Sequence, residues 1–230
     1  MATINWEKEI QPLIKKYKGK KHPLEYNNIY QLVIMVVLSA QDSDKHINQV
    51  APAFFKAFPN MRSLAKADAD ALMPFLNSVR NFGNKIKWLT ALSQKIKDDK
   101  NIPTNMDALT ALSGIGRKSA NVIMREAGVK AEGVIVDLHV IRVANRLGIT
   151  KSEDPKKIEQ DIMKVIPQKD WAEAGMNMSF LGREICRPKP LCPECLMKPV
   201  CEFYQKGFYD KMILQENTSK KTAAKKIAKK

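Results

Sequence analysis

"LSGIGRKSANVIM" occupies residues 112–124, and its reading decides the fold. Two glycines flank one isoleucine, a basic pair follows, and apolar residues then recur at helical spacing. Leu112, Gly114, Ile115, Gly116 and Ala120 fit a helix–hairpin–helix pattern: apolar, spacer, glycine, apolar, glycine, three spacers, small residue. The glycines permit a tight turn whose backbone N–H groups are not screened by side chains. Those amides and the N-terminus of the second helix make an anion site suited to a DNA phosphate, and Arg117 adds a charged donor.

Helical periodicity extends in both directions from this turn. Upstream, "IPTNMDALTAL" (102–112) reads as the first helix of the motif, with Thr104 and Asp107 at capping-box spacing. "GNKIKWLTALSQKIKDD" (83–99), shorter pieces at 68–76 and 61–66, "KHINQVAPAFFKAF" (45–58) and a largely buried helix at 28–41 precede it. At the start, "INWEKEIQPLIKKY" spaces Ile4, Ile10, Leu13 and Ile14 helically, with Pro12 marking a kink or a restart. Downstream, helices are expected at 115–127, 138–147, 155–165 and 170–184, with Gly148 as a stop and Asp154–Pro155 as a start. "GVIV" (133–136) alone looks strand-like and is too isolated to build a sheet. The reading is all-α.

Composition narrows the partner. The chain has 230 residues and a formal net charge of +15. Seven lysines against one glutamate in the last twenty residues account for six of those charges, so the body itself is basic. A basic body suggests a polyanion, most often nucleic acid, although a basic protein without such a partner is the alternative. Its lysine-rich tail, 210–230, is low in complexity and is expected to be disordered. No apolar run reaches the ~18 residues of a membrane span, and the first residues lack the apolar core of a signal peptide, so a cytoplasmic address is expected.

Two residues carry candidate chemistry. Lys118 falls in the first turn of the second hairpin helix, where an ammonium is disfavoured and a neutral, nucleophilic amine is helped to form. A plain phosphate contact is an equal reading of the same lysine. Asp137, in "GVIVDLHVIRVANRL", is placed to cap a helix, and a cap carboxylate is fixed in direction. Such a group also suits a reaction that develops positive charge on a sugar, so capping and catalysis need not compete. His139 could line the same site or serve as a polar contact within the fold.

All four cysteines lie within sixteen residues: Cys186, Cys192, Cys195 and Cys201, spaced C-x5-C-x2-C-x5-C. Four thiolates so close suit tetrahedral zinc or an iron–sulfur cluster, and spacing alone leaves that choice open.

Together these segments resemble endonuclease III of the helix–hairpin–helix DNA glycosylase superfamily, over about residues 27–209. "LSAQDSD" (38–44) is similar to the family's LSAQ-x-x-D, the hairpin to its L-P-G-V-G-R-K-T-A-N-V-V-L, and "VDLHVIRVANRLG" to its V-D-T-H-V-x-R-V-x-N-R. The cysteines follow its C-x6-C-x2-C-x5-C loop with one residue removed. This resemblance implies two helical lobes: a six-helix barrel with the hairpin at 26–133, and a discontinuous lobe from 1–25 and 134–209 holding a 4Fe-4S cluster on the four cysteines. Double-stranded DNA with a damaged base or abasic site would lie in the cleft between the lobes, bent and with the nucleotide flipped out. By the same resemblance Lys118 attacks C1′, Asp137 assists, and a Schiff base leads to β-elimination. Gln41 fills the gap, and Gly114, Ile115, Gly116, Arg117 and His139 contact DNA. The family's wedge loop reads approximately I-G-L-Y-N-S-K-A where this chain has "VRNFGNKI" (79–86), which puts Arg80 and Asn81 at the DNA and leaves the preferred lesion open. A monomeric, nucleoid-associated repair enzyme for oxidised pyrimidines is the expectation. The alternatives are a monofunctional glycosylase for alkylated purines or mismatches, and a non-catalytic DNA-binding protein.

Overall fold

The computed structural model describes residues 4–215 and Thr218, and among them every regular element is helical. Two compact units divide the chain: 19–133 forms one, and 1–18 with 134–230 forms the other.

The short N-terminal helices are α1 (Trp6–Glu9) and α2 (Gln11–Lys16), and Pro12 sits in the first turn of α2, so it restarts the helix. The unit over 19–133 holds α3 (Ile29–Ser39), α4 (Asp44–Ala57), α5 (Met61–Leu64), α6 (Ala69–Leu76), α7 (Phe82–Ile96), α8 (Met106–Thr110) and α9 (Arg117–Glu126). Its axis is α3, whose residues from Leu32 to Leu38 are all buried and which packs against α4, α7 and α9. A helix apolar on every side requires this central place.

Helix starts in this unit follow one rule with two exceptions. Asn28, Ser43, Asn60, Asp68 and Asn105 each accept a backbone N–H and cap α3, α4, α5, α6 and α8. Asn105 therefore takes the place expected for Thr104, because its side chain reaches the Ala108 amide at 2.9 Å. No side chain caps α7, which begins after Asn81, or α9, which begins after Gly116.

The other unit continues with α10 (Leu138–Leu147), α11 (Pro155–Val165), α12 (Trp171–Glu184) and α13 (Glu202–Gln205). Residues 134–136 are buried, adopt no regular secondary structure and pass directly over α12. A Cβ on Gly175 would lie 2.7 Å from the Ile135 backbone, and one on Gly182 would lie 2.7 Å from His139 Cβ. Those two glycines let α12 approach the 134–139 segment and α10 closely. The N-terminal helices belong here too: the Tyr17 hydroxyl donates to Glu184 at 3.0 Å, and Gln11 donates to Asp170 at 2.9 Å.

The tail departs from expectation at its beginning. Residues 208–215 are helical, so the expected disorder does not start at 210; the remainder, apart from Thr218, lies outside the described residues.

Candidate active site

In the unit over 19–133, the hairpin is closed by the Ile115 N–H donating to the Leu112 carbonyl at 3.2 Å. Gly114 has φ +81°, and a Cβ there would sit 3.1 Å from both Trp88 and Val37 side chains, so glycine is required twice over. Gly116 differs. Its φ is −92°, and an added Cβ would meet nothing within 4 Å. The chain leaves open space at the uncapped start of α9, where an anion can approach main-chain amides.

Lys118 is exposed in the first turn of that helix. Arg117 is also exposed, and its guanidinium donates to the Glu132 carbonyl at 3.2 Å. Ile115 is 5% exposed, and its side chain anchors the turn in the core.

Gln41 and Asn81 share an unusual backbone. Their φ values are 60° and 58°, left-handed for residues that are not glycine, and both are exposed. Asparagine tolerates this conformation better than most side chains, which gives a local reason for Asn81 at the start of α7. Arg80, beside it, is exposed as well.

In the other unit, Asp137 caps α10. Its Oδ1 accepts the backbone N–H groups of His139 and Val140 at 2.9 and 2.8 Å. Its Oδ2 accepts the Ser179 hydroxyl at 2.6 Å, with the Arg183 guanidinium 3.9 Å away. The carboxylate is thus fixed by α10 and α12 together. His139 Nδ1 pairs with Arg142 at 3.2 Å, and Arg142 also donates to the Gly182 and Cys186 carbonyls. Burial, helped by the charges of Arg183 and Arg142 and opposed by Asp137, holds His139 below the usual histidine pKa, so the ring is neutral at pH 7.

Cys186, Cys192, Cys195 and Cys201 line one cavity, walled by Val143, Leu147, Leu181 and Phe203. None forms a disulfide. Among the described residues, no three ligand-type side chains converge closely enough to hold a single metal ion. Burial, then the neighbouring thiolates of Cys186, Cys201 and Cys195, push the Cys192 thiol up to about 11. Four thiolates in this apolar pocket need a cationic group among them. Arg146 frames the pocket, donating to Cys186 Sγ at 3.4 Å and to the Arg187 carbonyl at 2.7 Å, with its guanidinium 4.9 Å above the Phe203 ring.

The model of the HhH-GPD superfamily of base excision DNA repair proteins matches residues 34–168. An endonuclease III from Synechocystis sp. is 39% identical over 84% of this chain and 90% of its own length. The chain belongs to the endonuclease III family. A Haemophilus influenzae endonuclease III is 30% identical over 88% of this chain and 99% of its own. Among solved structures, a trapped endonuclease III–DNA covalent intermediate matches with a TM-score of 0.77 at 30% identity, covering 86% of this chain and 95% of that one. A non-covalent endonuclease III–DNA complex matches equally, at 31% identity. These neighbours bear out the all-helical endonuclease III fold expected from the hairpin.

Against this endonuclease III background, three features had no counterpart in the reading of the sequence. Ser179 lies within an apolar helix and gave no polar pattern to find. Leu138, directly after Asp137, is 79% exposed where the family motif has threonine. Asp42 fills an open position of LSAQ-x-x-D and makes the contacts described below. Asn177 and Ser179 are the polar residues of the buried run 174–182, and the sequence does not set one apart from the other.

Proposed function

We propose that this chain is a bifunctional DNA glycosylase and abasic-site lyase that removes oxidised pyrimidines from double-stranded DNA. Family membership supports base-excision repair, and the observation that carries the lyase reading is the exposed Lys118 in the first turn of the uncapped helix α9.

The unprotonated Lys118 Nζ attacks C1′ of the deoxyribose, and the C1′–N bond to the base breaks. Asp137 assists loss of the lysine proton and stabilises the oxocarbenium-like state. Its fixed Oδ1 and Oδ2 partners support that role, since they hold the carboxylate before substrate arrives. Ring opening gives the lysine Schiff base; loss of a C2′ proton then expels the 3′ phosphate by β-elimination. Backbone amides of Gly114, Gly116 and the first turn of α9 grip a phosphate, Gln41, Arg80 and Asn81 occupy the gap left by the flipped nucleotide, and His139 is a neutral contact.

In this reading the unit over 19–133 is the hairpin-bearing barrel. The unit completed by the N-terminal helices carries a 4Fe-4S cluster on Cys186, Cys192, Cys195 and Cys201. Four thiols lining one apolar pocket, in a chain of this family, support that reading. Bound there, the cluster would cross-link four points of an otherwise irregular loop. The enzyme works as a monomer in the cytoplasm, on nucleoid DNA.

Borohydride trapping with a panel of lesion-bearing duplexes tests the proposal. A covalent adduct with oxidised-pyrimidine DNA, absent in Lys118→Gln, is expected. An adduct that survives Lys118→Gln, or cleavage confined to alkylated purines, overturns it.

A further inference from the structure

Segments 38–46 and 78–85 are both loop-and-helix-end regions of one unit, and among the described residues four hydrogen-bonded ties join them, the longest from the Arg80 guanidinium to the Gln41 carbonyl at 3.5 Å. The central tie is the Asp42 carboxylate. Its Oδ2 accepts the Arg80 backbone N–H at 2.8 Å, across 38 positions of sequence. Its Oδ1 accepts the Ser43 N–H at 2.8 Å and pairs with His46 Nδ1 at 2.9 Å. With the ring proton on Nδ1, His46 Nε2 accepts from the Ser78 hydroxyl at 3.3 Å, which is the second tie. Lys85, buried in the first turns of α7, makes the third by donating to the Leu38 carbonyl at 2.6 Å.

Asp42 is the residue immediately after Gln41, and Arg80 is the residue immediately before Asn81. The amide–carboxylate bond therefore links the direct neighbours of Gln41 and Asn81, both exposed and both held in left-handed backbone. The Asp42 side chain is only 10% exposed amid exposed loops, so water competes poorly for this bond. Burial acts to raise its pKa, but the hydrogen bonds from Arg80, His46 and Ser43 outweigh that and hold the carboxyl below the ordinary range, keeping it an acceptor.

We propose that Asp42 is a positioning residue that fastens the Gln41 and Asn81 loops into a single two-pronged unit, which enters duplex DNA as one piece when a nucleotide leaves the stack. The inference rests on the reading that Gln41 and Asn81 occupy that gap. A duplex substrate requires the unit, because bases must be separated and the vacancy filled. A single-stranded abasic oligonucleotide has no vacancy to fill.

The measurement is the ratio of Schiff-base trapping rates on duplex and single-stranded abasic DNA. Asp42→Ala is expected to lower that ratio about ten-fold, as misplacement by a fraction of an ångström does. Asp42→Asn, whose amide oxygen still accepts the Arg80 N–H, is expected to restore it to within about three-fold. An equal loss on both substrates, or no rescue by Asn, overturns the proposal. Gln41→Ala and Asn81→Gly, measured alongside, separate the two readings: an unchanged ratio in both removes the underlying assignment of the gap residues. A lowered ratio there with an unchanged one in Asp42→Ala removes only the proposal about Asp42. In the Asn81→Gly background, Asp42→Ala is expected to add less than it does alone, and full additivity counts against coupling. Should Asp42→Ala fail to fold, hydrogen exchange at the Arg80 amide decides: protection is expected in wild type and Asp42→Asn, and rapid exchange in wild type overturns the tie.

Discussion

Ser179 donates its hydroxyl to Oδ2 of Asp137 at 2.6 Å, joining the middle of α12 to the cap of α10. Two helices thus share responsibility for one carboxylate. Ser179→Ala is expected to keep the cap, because Oδ1 still accepts two amides, while base release slows about ten-fold through loss of orientation. Single-turnover rates on a lesion duplex, with binding measured separately, check this.

Charge and capping at Asp137 can be separated. Asp137→Asn keeps an acceptor for the His139 and Val140 amides and is expected to retain most stability while base release falls by about a hundred-fold or more. Asp137→Ala is expected to lose the same activity and about 1 kcal/mol of stability in addition. Urea unfolding of the two variants, compared with their single-turnover rates, gives the split.

The hairpin glycines should fail in different ways. Gly114→Ala places a side chain at φ +81° against Trp88 and Val37, and is expected to cost about 2 kcal/mol of stability. Gly116→Ala meets open space and is expected to fold normally, yet to weaken DNA binding by crowding the start of α9. Thermal unfolding and DNA titration of each variant distinguish these outcomes.

His22 gives a pH dependence. Burial, aided by the charges of Lys118 and Arg125 and opposed by Glu126 and Asp44, pushes it down to about 4 from 6.5. The folded chain prefers the neutral ring, so this contribution is complete above pH 6.5 and declines as pH falls toward 4. Because the ring is only half-buried, the loss is on the order of 1 kcal/mol, and His22→Asn is expected to flatten that part of the stability profile. Denaturant unfolding between those limits measures it.

Arg146 lines the cysteine pocket. Arg146→Ala removes donors to Cys186 Sγ and to the Arg187 and Pro188 carbonyls. Lower iron and sulfide content per chain, and faster bleaching of visible absorbance under oxidation, are expected; stoichiometric zinc in the wild type would replace the cluster assignment.

Helix positions, the hairpin and the cysteine pocket were legible because each is written locally: apolar spacing, Gly114 and Gly116 in the turn, four thiols within sixteen residues. Helix caps were legible in part, and Asn105 shows the limit, since Thr104 beside it satisfies the same rule of thumb. Ser179 and Asp42 were not legible. Their partners lie 42 and 38 positions away, and no spacing rule reaches across such a gap. The wedge-loop resemblance puts Asn81 at the DNA without saying why asparagine stands there, whereas its left-handed backbone conformation supplies a local reason.

Residues 4–18 pack with the unit whose remaining chain begins at 134, and Tyr17 finds Glu184 only after 167 positions have been added. During synthesis, the segment 19–133 is therefore complete on the ribosome while the first helices are still waiting for their apolar partners. Until α12 emerges, Trp6, Ile10 and Leu13 lack the helix against which α2 packs in the finished unit.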